Sequence, residues 1–455
     1  MSWPSGSGSD LAERLDYAAA LRYLYEELTP ERPGGFRSHG TDRACALLRG
    51  LGDPQESVAT VHVAGTAGKG SVCAFVAAIL TAHGFRVGAH LSPHAYELVE
   101  RFQIDGGPVP GHVLVDELDR VRPQIERVEE AGLGRPTFFE VTNAIAFGIF
   151  DGTADYNVIE TGIGGLLDST NVIARRDKLA VLTPIGLDHT DVLGATLPEI
   201  AAHKAGMLPT GGQAISARNG ADVDAVIAAA ASYRQTQVDF VDLDAAVRDA
   251  RVGRDGTVLR LAGEEEMALG LQGRHQAGNA ALALRAVRLL GRRDGWAVDP
   301  SAVRAGLRLA ALPGRFERRV VGGRSVILDG AHNAFKIASV VATLNELYPG
   351  RQITWVLALK HDKDLGAVLR VVAPTAAFVV ATGFHTDGGD HPSSWSHRAD
   401  DIAAAARRTG LQAVSAPDPL NALDRALTGS QPSAPVVVSG SFHLLAAIDV
   451  ATRPR

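Results

Sequence analysis

Residues 61–80 read VHVAGTAGKGSVCAFVAAIL. The β-branched opening predicts a buried strand, the Ala/Leu-rich close predicts a helix, and Gly65, Gly68 and Gly70 stand between them. A glycine-rich turn from strand to helix aims backbone N–H groups and the helix's positive end at an anion, which makes residues 65–71 a phosphate cradle. Gly65, Thr66, Gly68, Lys69, Gly70 and Ser71 are the expected nucleotide contacts, with Lys69 reaching the terminal phosphates and the Ser71 hydroxyl serving Mg²⁺. The spelling departs from G-x-x-x-x-G-K-[ST]: Gly65 lies three residues before Gly68, and Gly70 separates Lys69 from Ser71.

Working outward, short β-branched runs alternate with helical stretches. FRVGAHLS (85–92), YNVIETG (156–162) and KLAVLTPIG (178–186) read as strands, and FFEVTNAIAFGIF (138–150) reads as a helix. This is the βαβ grammar of a parallel sheet covered on both faces. Residues 213–270 alternate apolar and polar positions in QVDFVDL and TVLRLAG, which predicts a small β-rich lobe. Gly, Asp and Pro in LGRRDGWAVDPSA (290–302) break helix periodicity, after which RSVILDGAHN, ITWVLALK, AAFVVATG and APVVVSGS restart the pattern. The expected fold is α/β: a P-loop parallel-sheet ATPase domain with the lobe over 1–295, then a Rossmann-like α/β domain over 296–455.

At 455 residues the chain exceeds one ordinary core, and 46% hydrophobic with 21% charged residues fits a soluble globular protein. A net charge of −6 offers no basic footprint for nucleic acid. No apolar run approaches the ~20 residues of a membrane span, the opening MSWPSGSGSD does not read as a signal peptide, and Cys45 and Cys73 form no metal pattern. A cytoplasmic protein, monomeric, without nucleic-acid or membrane partners, is expected. Lysine is scarce, occurring only at 69, 178, 204, 336, 360 and 363, so a lysine inside a motif-like segment invites a chemical explanation.

Glu160 closes a predicted strand, where ligands of open α/β sheets collect, and Asp188 and His189 follow the next strand. Carboxylate and imidazole from neighbouring strand ends can converge on a divalent ion beside Ser71. A capped loop is the plainer reading of either pair alone. Lys204 lies in the Ala-rich helix that begins near Pro198, where a solvated side chain is the ordinary role.

GTAGKGS, LSPH with ERFQIDG, FFEVTNAIAF, IETGIGGLLDSTN, IGLDHTDVLGATLPEIAAHKAG, HQAGNAALAL, LPGRFE and LDGAHN occur in the order found in folylpolyglutamate and dihydrofolate synthases. Over about residues 20–365 the chain resembles that branch of the Mur-ligase superfamily, whose loop reads G-T-N-G-K-G-S and so accounts for the odd spacing. The resemblance implies an ATP-dependent amide ligase that activates a carboxylate as an acyl phosphate and joins it to an amino acid such as glutamate, releasing ADP and phosphate. It implies metal contacts from Ser71, Glu160, His189 and Ser92, and a carbamylated Lys204 that helps hold a second Mg²⁺ or orients phosphate. Asn279 falls to adenine, Arg315 to the phosphates, and Asp329 with His332 to the ribose and cleft. Lys69, His189, Lys204 and Arg315 are then the expected catalytic groups. Phe138, Phe139, Asp168, His332 and Ser441 are the expected substrate contacts, although core packing accounts equally well for the two phenylalanines.

Ala67 stands where the family carries Asn, and Leu166 where it carries Arg. GFHTDGGDHPSSWSHRAD (383–400) is also unusual; its His385, Asp387, Asp390, His391 and His397 read as a solvated loop sooner than a metal site. These departures keep open an amide ligase of specialised metabolism, with a non-folate acid and another amine. A nucleotide-binding regulator and a P-loop kinase are the readings from other classes.

Overall fold

The computed structural model describes residues 10–28, 41–386, 394–431 and 433–452. Two sheets carry the architecture. The first has eight strands: β1 (Ala59–Ala64), β2 (Val87–His90), β3 (Phe102–Ile104), β4 (Gly107–Pro108), β5 (Tyr156–Glu160), β6 (Leu179–Leu182), β7 (Gln213–Ala217) and β8 (Gln237–Val241). Their order is β4-β3-β2-β5-β1-β6-β7-β8, parallel from β2 through β8, with β3 and β4 added antiparallel at one edge. Because β1 lies centrally between β5 and β6, the loops leaving all three open at one sheet end, and the phosphate loop, the turn after Glu160 and the Asp188–His189 segment meet there.

The expected β-rich lobe is smaller than residues 213–270. QVDFVDL supplies β8, an edge strand of the main sheet, because the helix Ala221–Arg234 carries the chain across and returns it parallel to β7. Only β9 (Val247–Gly253), β10 (Gly256–Leu261) and β11 (Glu266–Leu269) form a separate antiparallel sheet.

The second α/β unit holds β12 (Glu317–Val321), β13 (Arg324–Asp329), β14 (Ile353–Leu357), β15 (Ala376–Ala381), the pair β16 (His385–Thr386) and β17 (Ser394–Trp395), β18 (Ala413–Ser415) and β19 (Val436–Ser439). The order β12-β13-β19-β14-β15-β18 is parallel except for β12, and β16 and β17 pair apart from it.

Helix Lys69–Ala82 is apolar on nearly every side because it is enclosed on nearly every side. Beneath it lies the main sheet, and against it pack the helices Gln276–Asp294 and Pro300–Leu309. The last approach is close: a Cβ on Gly306 would stand 2.4 Å from the Ile79 Cα. Val303, Leu307 and Ala310 accordingly share one core with Val61, Phe75 and Ile79. The two units are also tied by Tyr96, whose hydroxyl donates to Glu317 Oε2 at 2.7 Å, while Arg319 covers its ring and bonds Glu317 and Asp449.

Candidate active site

The phosphate loop is shaped by positive φ and by its neighbours. Gly68 caps the helix at φ +86°, and a Cβ there would lie 2.3 Å from Asn279 Oδ1, so only glycine lets the loop touch that amide. Thr66 and Ala67 donate backbone N–H groups to Pro184 O at 3.0 and 3.4 Å, and Thr183 Oγ1 donates to Ala67 O at 2.7 Å. The loop is therefore anchored to the segment after β6. Lys69 Nζ reaches Gly65 O at 3.4 Å. Lys204, from the helix Leu197–Ala205, donates to the same carbonyl at 2.8 Å from the other side. That helix starts where a sequence reader would look, with Pro198 in its first turn and Thr196 and Glu199 closing a capping box.

Glu160, at the tip of β5, is 4% exposed and accepts the Ser92 N–H at 3.0 Å. Its carboxylate faces the loop closely enough that a Cβ on Gly70 would sit 3.3 Å away. Burial raises its pKa; Lys69, the Ser92 N–H and Arg315 oppose the rise. Burial, with Lys69 adding to it, pulls the Lys204 amine down to about 7, against Asp188 and Asp168. His189 adopts φ +49° and is exposed to solvent. The surrounding protein still strips hydration from it and holds its pKa down at about 4, Asp188 working the other way.

From the second unit, Asp329 ends β13 and braces the following turn: Oδ2 accepts Phe316 N–H at 2.7 Å and Oδ1 accepts Ala331 N–H at 2.8 Å. Arg315 lies over the Phe442 ring at 4.2 Å. His332 Nδ1 is 2.9 Å from Gly330 O, and burial with Lys336 nearby forces its pKa down to about 3.

One pocket between the units collects Thr66, Gly68, Lys69, Gly70, Ser71, Ser92 and Glu160 from the first, and Arg315, Asp329, His332, Lys336 and Phe442 from the second. Asn279 also lines it, from the helix Gln276–Asp294. His189 and Lys204 do not line it, so the five expected metal residues are divided: Ser71, Ser92 and Glu160 face the pocket, Lys204 backs the loop, and His189 stands beside Asp188. Among the described residues no group of three or more His, Cys, Asp or Glu side chains is placed to hold a metal ion. A cation here would depend on Ser71, Glu160 and phosphate oxygens together, a donor set that suits Mg²⁺.

The expected substrate contacts also separate. Phe138 is 1% exposed, stacked on Tyr25 and beneath Arg101, and Phe139 is 8% exposed against Gly162. Asp168 is spent on its own loop, accepting from Ile163 N–H, Thr170 N–H and Thr170 Oγ1. Ser441 is buried and accepts the His443 N–H at 3.2 Å. None of these four lines the shared pocket, whereas His332 does. In the unusual C-terminal loop, His385 packs on Trp395 and His397 Nε2 lies 3.1 Å from Lys363 O; Asp387, Asp390 and His391 fall outside the described residues.

Sequence reasoning passed over Lys336, Phe442 and the buried Arg101, whose Nε donates to His94 Nδ1 at 2.9 Å. The scarcity of lysine was the available signal for Lys336, which stands four residues after His332.

A phosphate loop facing an arginine and a carboxylate from a second α/β unit defines a two-domain ATP-dependent ligase. A family model described as "Mur ligase, glutamate ligase domain" matches residues 314–442, which is most of the second unit. The dihydrofolate synthase/folylpolyglutamate synthase of Mycobacterium tuberculosis is 35% identical over 397 residues, 83% of this chain and 81% of that protein. The folylpolyglutamate synthase of Lacticaseibacillus casei is 30% identical over 443 residues, 95% of this chain and 98% of that one. Among solved structures, M. tuberculosis folylpolyglutamate synthase complexed with ADP and AMPPCP superposes with a TM-score of 0.84 at 31% identity, covering 97% of this chain and 99% of that chain. E. coli FolC in complex with DHPP and ADP gives 0.79 at 26% identity, covering 95% and 97%. The chain belongs to the folylpolyglutamate/dihydrofolate synthase family. It is an ATP-dependent ligase that forms ADP and phosphate. No helix among the described residues is long and apolar enough to cross a membrane.

Proposed function

We propose that the protein joins a folate-type carboxylic acid, a pteroate or a folate, to glutamate. The observation that carries the reading is the single pocket in which Lys69 and Ser71 of the phosphate loop face Arg315 and Asp329 of the second unit. A carboxylate is a poor acyl donor, and phosphorylation supplies its leaving group. Lys69 and Arg315 then meet the charge that develops on the transferring phosphoryl group. Asn279, packed on Gly68, suits the adenine side of the nucleotide. Ser71 and Glu160 would hold Mg²⁺ with phosphate oxygens; when bound, the ion offsets phosphate charge. Since the pocket walls come from both units, their closure excludes water that would hydrolyse the acyl phosphate.

Carbamylation of Lys204 fits the same frame. CO₂ adds only to a neutral amine, and an amine held near pKa 7 is substantially neutral at physiological pH. We place the division between the units between residues 310 and 314, since Ala310 belongs to the first core and the matched ligase domain begins at 314.

The test is ADP release with dihydropteroate or tetrahydrofolate, ATP, magnesium and glutamate, repeated with hydroxylamine in place of the amino acid. Hydroxamate formation reports an acyl phosphate. Failure of every pteroate and folate to stimulate ADP release would dismiss the folate assignment, and a stable phosphorylated product would point to a kinase.

A further inference from the structure

Lys336 lies on the helix Ala334–Leu347, and no motif in the sequence assigns it a role. Its ammonium nitrogen is 3.0 Å from His332 Nε2 and 3.7 Å from Asp188 Oδ2, which belongs to the first unit. The His332 tautomer follows from its other nitrogen. Nδ1 faces the Gly330 carbonyl, which only accepts, so Nδ1 carries the proton and Nε2 presents a lone pair. Lys336 is therefore the donor in its contact with His332.

An ammonium has three N–H groups. One goes to His332; the separation from Asp188 exceeds a hydrogen bond and marks a charge pair. That leaves donor capacity directed at the pocket which Lys336 lines with Gly68, Lys69, Ser71 and Arg315. The side chain is 28% exposed, so the charge is partly stripped of water. Burial lowers its pKa to about 8, and Lys69, Arg315 and Lys363 press the same way against Asp188. A partly desolvated cation among other cations gains most from a ligand carrying several negative charges.

We propose that Lys336 is a further catalytic residue, one of whose two remaining N–H groups contacts the terminal phosphoryl group of ATP and joins Lys69 and Arg315 in stabilising its transfer. In that step the substrate carboxylate oxygen forms the new P–O bond, and the bond between the terminal phosphorus and the bridging oxygen breaks. The electron pair leaves with ADP, and Lys336 stays protonated throughout. The same ammonium, paired with Asp188, joins the two units behind the phosphate chain. This deepens the ligase reading above and rests on it.

The test uses the full chain and two nucleotides, AMPPCP and ADP, with affinities measured by titration calorimetry. Lys336→Met is expected to weaken AMPPCP about tenfold or more, as loss of a charge-assisted hydrogen bond does, and to leave ADP within about threefold. Lys336→Arg is expected to keep most of the AMPPCP affinity, and Asp188→Asn to cost less than Lys336→Met. Equal loss for both nucleotides, no loss for either, or an Asp188→Asn effect as large as Lys336→Met would overturn the proposal. Should Lys336→Met fail to fold by circular dichroism, Lys336→Gln is read by the same criteria. The AMPPCP/ADP ratio needs no turnover, so a wild-type protein that yields no hydroxamate sinks the ligase reading while the ratio still judges Lys336.

Discussion

Lys204 donates a hydrogen bond to the carbonyl of Gly65 at 2.8 Å, tying the helix Leu197–Ala205 to the first peptide of the phosphate loop. Replacing Lys204 by Ala removes both this tie and the amine proposed to take up CO₂. We expect ADP formation to fall by about 100-fold, the scale of losing one preorganised catalytic group, with part of it restored by acetate or formate acting as a detached carboxylate. Full activity without rescue would reduce Lys204 to a loop brace.

Gly68→Ala places a methyl at φ +86° against Asn279 Oδ1. The backbone term alone costs about 1–2 kcal/mol, and the displaced amide should weaken nucleotide binding as well. Urea denaturation and ADP calorimetry read the two effects separately. Unchanged ADP affinity would mean that Asn279 does not serve the nucleotide.

Gly306→Ala tests the helix contact that positions the loop. Its methyl would meet Ile79 backbone at 2.4 Å, and backbone cannot swing aside as a side chain does. Overpacking of this kind costs about 1–3 kcal/mol, so the urea midpoint should drop with an unchanged slope. A midpoint equal to wild type would show that the two helices separate without penalty.

The half-buried His332 makes stability depend on pH with a definite sign. With a pKa of about 3 in the fold, His332 is neutral where the unfolded chain still binds a proton. Between about pH 3 and 6.5 the unfolded state holds more protons, so stability rises with pH through that window and falls on acidification. Glu160 and Asp329, whose pKa values are raised by burial, act in the opposite direction just above their ordinary values. Comparison with His332→Asn isolates the histidine: melting temperatures from pH 3.5 to 7 should climb less steeply in the variant. Parallel curves would remove His332 from the linkage.

Tyr96→Phe deletes the hydroxyl bound to Glu317 and leaves the ring beneath Arg319 in place. The loss of one largely enclosed hydrogen bond to a carboxylate should cost about 1–3 kcal/mol, measured by thermal or urea unfolding. No change would show that Arg319 and the Gly314 N–H satisfy Glu317 without it.

The strand, the glycine turn and the enclosed helix of residues 61–84 were legible locally because burial, turn chemistry and periodicity each leave marks within a few residues. The same holds for the helix over 138–150, the helix that begins near Pro198, and the strands that restart at Arg324, whereas the capping boxes at Thr137 and Thr196 emerged only in the structure. The chain by itself therefore determined two α/β units, the phosphate loop, and the family to which its ordered motifs belong. It did not determine which candidates share a cavity. Residues far apart in the chain come together only after β1 settles between β5 and β6 and the units close: Glu160 faces Gly70, Lys204 bonds the Gly65 carbonyl, and Lys336 pairs with Asp188. Phe138, Phe139 and Asp168 carry residue types suited to a ligand, yet packing spends them on the interior and on a loop. Periodicity reports which face of an element is buried; which element it is buried against is a property of the sheet order, and that is where the site was decided.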